Sequence, residues 1–180
     1  TNTAARQREV DFSYTFFNTG VRLLAPRSLS IEQPSQTWRK RIAATKGTTA
    51  YDMVVRLQLE WEVVPVPVDN DKAGVSLVES GAVDAFAQDD VLLYSLLAES
   101  KDRDRLWVTG KYMSVEPYAF MLPKDDAAFM RLVDRALLDV MHSGEIFRIY
   151  ARWFNTDRLR IPMHVHMREN IRFPNKYGIP

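Results

Sequence analysis

Ile42-Ala43-Ala44-Thr45-Lys46-Gly47-Thr48-Thr49-Ala50 is the stretch that decides the fold. An apolar run gives way to a polar turn holding one glycine, and the turn opens into residues with helical spacing. That is a strand–turn–helix junction. Further along, Val83-Asp84-Ala85-Phe86-Ala87 runs into Gln88-Asp89-Asp90 and then into an apolar helix, which repeats the arrangement. The segments between and after them follow suit. Strand 41–45 precedes helix 49–59, strand 62–66 precedes helix 72–79, strand 83–87 precedes helix 90–99, and strand 106–109 closes the series. This alternation, running from Arg41 to Leu106, predicts an α/β unit with a mostly parallel sheet and covering helices.

In open α/β sheets, such junctions lie at the carboxyl ends of the strands, where ligands bind. The first junction offers hydroxyls and helix-terminal amides, which suit an anion. The second offers a carboxylate, which suits a cation. The two together fit a zwitterion such as a free amino acid.

The flanks are less regular. Thr1-Asn2-Thr3 carries capping side chains ahead of a short helix at 4–10. Two extended pieces, 14–17 and 21–25, are divided by Asn18-Thr19-Gly20, a turn signal, and 26–36 is a polar loop. A strand at 116–122 ends at Pro123. Phe129, Leu132, Val133, Ala136, Leu137 and Val140 form a helical stripe within 127–141. Ser143-Gly144 ends that helix, and 145–154 is a second amphipathic one. The tail beyond 155, with Pro162, Pro174 and Pro180, is expected to be irregular.

Bulk composition excludes several classes. The 180 residues, 46% hydrophobic, make one ordinary domain or two small lobes with a packed core. A net charge of +1 gives no field that recruits nucleic acid or anionic lipid. There is no cysteine, so disulfides, thiolate chemistry and cysteine metal sites are absent. No apolar run approaches the roughly 20 residues that span a bilayer.

Several stretches carry a family resemblance. They are Thr1-Asn2-Thr3-Ala4-Ala5-Arg6-Gln7 with Asp11-Phe12-Ser13, Thr45-Lys46-Gly47-Thr48-Thr49, and Glu79-Ser80-Gly81-Ala82-Val83-Asp84-Ala85-Phe86 leading to Asp89-Asp90. Glu116-Pro117-Tyr118-Ala119-Phe120-Met121-Leu122-Pro123-Lys124-Asp125-Asp126, and Ser143-Gly144-Glu145 before Trp153-Phe154, complete the set. In order and spacing the chain resembles the solute-binding proteins of polar amino acid ABC importers, most closely the glutamate/aspartate-binding branch. The resemblance implies a periplasmic-binding-protein-like fold: two α/β lobes joined by crossing strands, with the ligand in the cleft between them. It places lobe two at 21–112, parts of lobe one at 1–15 and 116–180, and hinges near 16–20 and 113–118. Family members carry further strands and helices ahead of the Thr-Asn segment, so lobe one is expected to be partial. The exposed strand edge would then suit pairing in a homodimer or strand swap.

The resemblance also assigns roles. Arg6 would grip the ligand α-carboxylate, a task for which a guanidinium fork is suited. Thr1, a chain terminus open to disorder, would touch the same group. Thr45, Gly47, Thr48 and Thr49 would serve ligand oxygens, and Asp89 would receive the α-ammonium, with Asp90 capping the following helix. Acidic-ligand members have a histidine in the loop after the second strand of lobe two. Here that loop reads Asp69-Asn70-Asp71-Lys72, so Asp71 and Lys72 are the candidates for side-chain specificity. The implied partners are a small amino acid and a membrane permease, with no nucleic acid, no cofactor and no metal. The implied location is periplasmic, after removal of a signal peptide. Three alternatives stand beside this one. They are a truncated fragment with little binding, a sensory ectodomain, and a cyclohexadienyl-dehydratase-like enzyme using Asp71 or Glu116 as acid. His164-Val165-His166, read as extended, puts two imidazoles on one face as a weak metal candidate. His142 at a helix C-terminus is structural. Trp107, Tyr112, Tyr118, Trp153 and Phe154 are expected in core and hinge packing.

Overall fold

The computed structural model describes residues 1–157 and 159–180. The elements, in chain order, are β1 (Asp11–Phe12), β2 (Phe17–Thr19), β3 (Val21–Pro26), β4 (Arg41–Thr45), α1 (Thr49–Trp61), β5 (Val64–Val68), α2 (Asp71–Glu79) and β6 (Ala85–Asp89). They continue with α3 (Asp90–Glu99), β7 (Leu106–Thr109), β8 (Glu116–Tyr118), β9 (Met121–Leu122), α4 (Ala127–His142), α5 (Glu145–Phe154) and α6 (Val165–Arg172). Two compact units result: unit one holds Thr1–Thr19 and Val115–Pro180, and unit two holds Gly20–Ser114.

Unit two is a five-stranded sheet in the order β5-β4-β6-β3-β7. β4 runs parallel to both β5 and β6, as the alternation predicts. The sheet is nevertheless mixed, because β3 enters between β6 and β7, antiparallel to both. β5 also lies two residues later than the apolar pattern suggested. Its sequence, Val-Pro-Val-Pro-Val, lacks two ladder donors, which suits the sheet edge it occupies.

Side-chain alternation along the strands builds two cores. Val21, Leu23, Ala25, Ile42, Ala44, Ala85 and Ala87 pack beneath α1, against Ala50, Met53, Val54 and Leu57. Leu24, Ala43, Phe86 and Val108 point the other way, onto Val75 and Val78 of α2 and Leu93 of α3. Burying each large apolar side chain contributes about 1.5–3 kcal/mol. Gly74 sets the spacing of α2: a Cβ there would come within 2.3 Å of the Phe86 ring.

Unit one is built from two short antiparallel ladders and three helices. Phe17, Asn18 and Thr19 pair with Tyr118, Pro117 and Glu116, so the expected Asn18-Thr19 turn is strand. Ladder pairing overrides the local turn preference of these residues. The expected 116–122 strand is split in two. Between its halves, the Phe120 N–H donates to Ser13 Oγ at 3.0 Å, and the Ser13 N–H donates to the Phe120 carbonyl at 3.1 Å. The expected 4–10 helix is a single 3-10 turn at Arg6–Arg8.

The described tail is irregular, as expected, apart from one helix. α6 lies between Pro162 and Pro174 and buries Met167, Asn170 and Ile171. Asn170 donates to the Thr15 carbonyl, and Asp134 accepts from both the Tyr14 N–H (2.9 Å) and Lys176 Nζ (2.5 Å). Phe17, Tyr118, Tyr150 and Phe154 form an aromatic cluster with Phe17 at its centre.

Candidate functional site at the strand ends of unit two

β4 and β6 are parallel neighbours, so Thr45 and Asp89 finish at the same end of the sheet. Beyond Thr45 the chain turns through Gly47, whose φ of +74° belongs to the left-handed region where glycine has no Cβ penalty. A Cβ at Gly47 would meet nothing within 4 Å, so the backbone sign, and not crowding, calls for glycine.

Thr48 then caps α1. Its hydroxyl accepts from the Tyr51 N–H at 3.1 Å and donates to the Thr45 carbonyl at 2.7 Å. Thr45 donates its own hydroxyl proton to Asp71 Oδ1 at 2.5 Å. A hydroxyl has a single proton to give, and both are placed inside the protein. At this junction the dipole of α1 favours negative charge. Lys46 is exposed, its ammonium 2.9 Å from Asp69 Oδ1. Each holds the other charged: the Lys46 pKa is raised and the Asp69 pKa lowered by their hydrogen bond. A pair this open to solvent contributes little to stability.

Asp71, the first residue of α2, joins three elements. Its Oδ1 accepts from Thr45 on β4 and from Gln88 Nε2 on β6 at 2.8 Å. Gln88 in turn accepts the Asp89 N–H at 3.0 Å. Lys72 beside it is exposed.

Asp89 is 5% exposed and occupies the N-cap position of α3, though its side chain makes no capping bond. The expected cap, Asp90, is instead the first helical residue. Its carboxylate accepts the Tyr112 hydroxyl at 2.5 Å. Burial, reinforced by this bond, pushes the Tyr112 pKa well above that of an ordinary phenol. Tyr112 is thus a polar partner of a buried acid as well as a packing ring.

Sequence reasoning also passed over Gln88 and Arg22. Arg22 donates to Tyr94 Oη at 2.8 Å and to the Val108 carbonyl at 3.2 Å. The available signal was an arginine within the otherwise apolar strand Val21–Pro26.

In unit one, Arg6 is half-buried. Its Nη1 donates to the Thr1 carbonyl at 2.8 Å, and its N–H donates to Thr3 Oγ1 at 3.1 Å. Thr1 is not left loose. Its neighbour Asn2 is fully buried, with its N–H on the Pro117 carbonyl at 2.8 Å and its Nδ2 on the Lys176 carbonyl at 3.2 Å. Glu116, the alternative acid, is 1% exposed in β8. His164 and His166 do not share an extended face. His164 is the N-cap of α6, and its ring nitrogen accepts the His166 N–H. No group of three or more metal-ligating side chains is gathered among the described residues. A cavity of about 350 Å³ in unit one, lined by residues such as Asn18, Glu169 and Asn170, contains none of the expected site residues.

Residues 1–156 match the bacterial extracellular solute-binding proteins, family 3, and the chain belongs to that family. It is 34% identical over 182 residues to an L-glutamate/L-aspartate-binding protein of Pseudomonas aeruginosa, covering 97% of this chain and 60% of the relative. It is also 34% identical over 156 residues to the glutamate/aspartate import solute-binding protein of Escherichia coli, covering 86% and 52%. The chain thus spans between half and three fifths of these relatives. A solved ancestral arginine-binding protein bound to arginine superposes with a TM-score of 0.77 at 23% identity, over 86% of this chain and 68% of that one. The fold is therefore that of the amino-acid-binding proteins, as the resemblance implied.

Proposed function

We propose that this chain binds a free polar amino acid and serves as part of a periplasmic solute-binding protein delivering it to an ABC permease. The observation that carries the reading is the pairing at the end of the unit two sheet. A helix N-terminus that favours negative charge follows β4, and a buried aspartate closes the adjacent β6. Asp89 receives the α-ammonium. The turn Thr45, Gly47, Thr48 and Thr49 serves ligand oxygens, while in unit one the guanidinium of Arg6, with Thr1 beside it, is suited to a carboxylate. Both named relatives carry glutamate and aspartate in their names, and the family is one of solute binders. Binding without catalysis is the simplest use of carboxylates already committed to hydrogen bonds.

Calorimetry of the chain with the twenty amino acids tests this. At least one is expected to bind, and Asp89→Ala is expected to abolish binding while the circular dichroism of the fold persists. A lone buried charge on the ligand would then lack its partner, a loss of several kcal/mol. Unchanged affinity in Asp89→Ala, or turnover of prephenate or arogenate, overturns the reading.

A further inference from the structure

The cavity of unit one has no part in the reading above. Its volume of about 350 Å³ falls within the range of small-molecule sites. Its lining comes from β2, β8, α6 and the tail that follows α6, all within unit one. The walls are tied down. α6 is held by Asn170, 5% exposed, whose amide donates to the Thr15 carbonyl and whose Oδ1 accepts from Asn175 Nδ2 at 3.1 Å. The tail is held by the Ile179 N–H, which donates to the Asn2 carbonyl at 3.1 Å. It also runs close to the amino-terminal segment at Gly178, where a Cβ would come within 2.6 Å of Gln7 Nε2. The concavity is therefore preformed, and a ligand need not order it.

Two polar groups of the lining are not spent on the protein. Among the described residues, no hydrogen bond or ion pair engages the carboxylate of Glu169, which is exposed, or the side-chain amide of Asn18, which is half-buried. No lysine or arginine lines the cavity. Arg168, beside Glu169 on α6, is not part of the lining. Lys176 Nζ is held by Asp134, and the Arg172 guanidinium lies over the Phe173 ring, 5.1 Å from its centroid. Val115, Pro117 and Ile179 add an apolar wall. A carboxylate, an amide and apolar surface with no fixed cation suit a positive group on an apolar stem, and they disfavour an anion.

We propose that this cavity is a ligand site distinct from the strand ends of unit two, and that it takes a primary ammonium on a short apolar stem. Glu169 accepts from the ammonium, Asn18 adds its amide oxygen as a further acceptor, and Val115, Pro117 and Ile179 take the stem. A free amine and the side chain of a lysine in another protein both carry this group.

Chemical-shift titration of the 180-residue chain by nuclear magnetic resonance, with n-butylamine, n-butanol and butyrate in parallel, tests this. Butylamine is expected to move the amide signals of Asn18, Glu169 and Ile179 saturably, at concentrations where butanol and butyrate leave them in place. Glu169→Gln keeps the shape and removes the charge, and is expected to weaken butylamine binding about tenfold, the scale of one charge-assisted hydrogen bond. Asp89→Ala, which disables the proposed amino acid site, is expected to leave butylamine binding unchanged, so the two readings fail separately. Tighter binding of Nα-acetyl-lysine methylamide than of butylamine assigns the site to a protein side chain, and weaker binding assigns it to a free amine. Butyrate moving the same signals as butylamine, no saturable shift with butylamine, or unchanged affinity in Glu169→Gln overturns the inference. Should thermal melts show that Glu169→Gln does not fold, butylamine against butyrate in the unaltered chain decides alone.

Discussion

Units one and two are of similar size but are built on different principles. In unit two every strand of a five-stranded sheet has a neighbour, and both faces are covered, by α1 on one side and by α2 and α3 on the other. In unit one the ladders are two strands wide, and α4 buries only Met141 of its sixteen residues. Leu132 on α4 is 65% exposed and Trp153 on α5 is 67% exposed. The lesson is that amphipathicity and burial are separate facts. Both α4 and α5 carry clear apolar stripes, yet a stripe says only that a face can be buried, and a neighbouring element must do the burying.

The comparison can be broken by mutation. Phe86→Ala removes a fully buried ring from the α2–α3 side of unit two and is expected to cost about 3–5 kcal/mol in denaturant unfolding. Leu132→Ser in α4, an equally drastic change of chemistry, should move stability by less than about 0.5 kcal/mol. Equal losses from the two would show that the exposed stripe is in fact packed. A smaller effect sharpens the account of unit two. Gly74→Ala forces a Cβ into the Phe86 ring and should cost about 1–3 kcal/mol, with Gly74→Ala/Phe86→Leu recovering part of it. No recovery would mean that α2 does not rest on that ring.

The smallest expected effect lies in unit one, where Asp11 ties β1 to the segment after β9. The Asp125 N–H donates to Asp11 at 2.9 Å and Lys124 Nζ lies 3.1 Å away. The backbone bond first, and then Lys124, lower the Asp11 pKa below its usual value of 3.8. A depressed carboxylate stabilises the folded chain fully above its ordinary pKa, and the contribution fades as pH falls from there through the folded value. Asp11→Asn should therefore lower the melting temperature slightly near pH 5, with the difference from the parent closing toward about pH 2. A constant offset across that range would show that the carboxyl charge is not the stabilising feature.

Legibility did not follow the same divide. β4, α3, β7 and α5 fall on the residues that the pattern marked, because each is an apolar run or stripe bounded by polar turn residues, a signal carried by neighbouring positions alone. β5 shifted because Glu62, read as the first strand residue, is the left-handed C-cap of α1, a conformation its side chain does not announce. α6 was missed because prolines at both ends suggested coil, while its buried face of Met167, Asn170 and Ile171 includes an asparagine that looks polar until its hydrogen bond to Thr15 is seen. At the site, the turn and the aspartates were visible as local chemistry. Asp71 was visible only as a candidate, and the partners that give it meaning lie 26 and 17 positions away in sequence.

By itself, then, the sequence determined the alternation of strands and helices in unit two, the polar junctions after β4 and β6, and membership of a solute-binding family. These depend on periodicity and on short motifs, which act over a turn or two of chain. Only the tertiary structure decided that β3 is inserted antiparallel, that Asp90 pairs with Tyr112 while Asp89 takes the cap position, and that Thr45 and Gln88 meet on one oxygen of Asp71. Each of these is a contact between residues distant in sequence, and no local preference of the chain encodes which distant group will satisfy a buried polar atom.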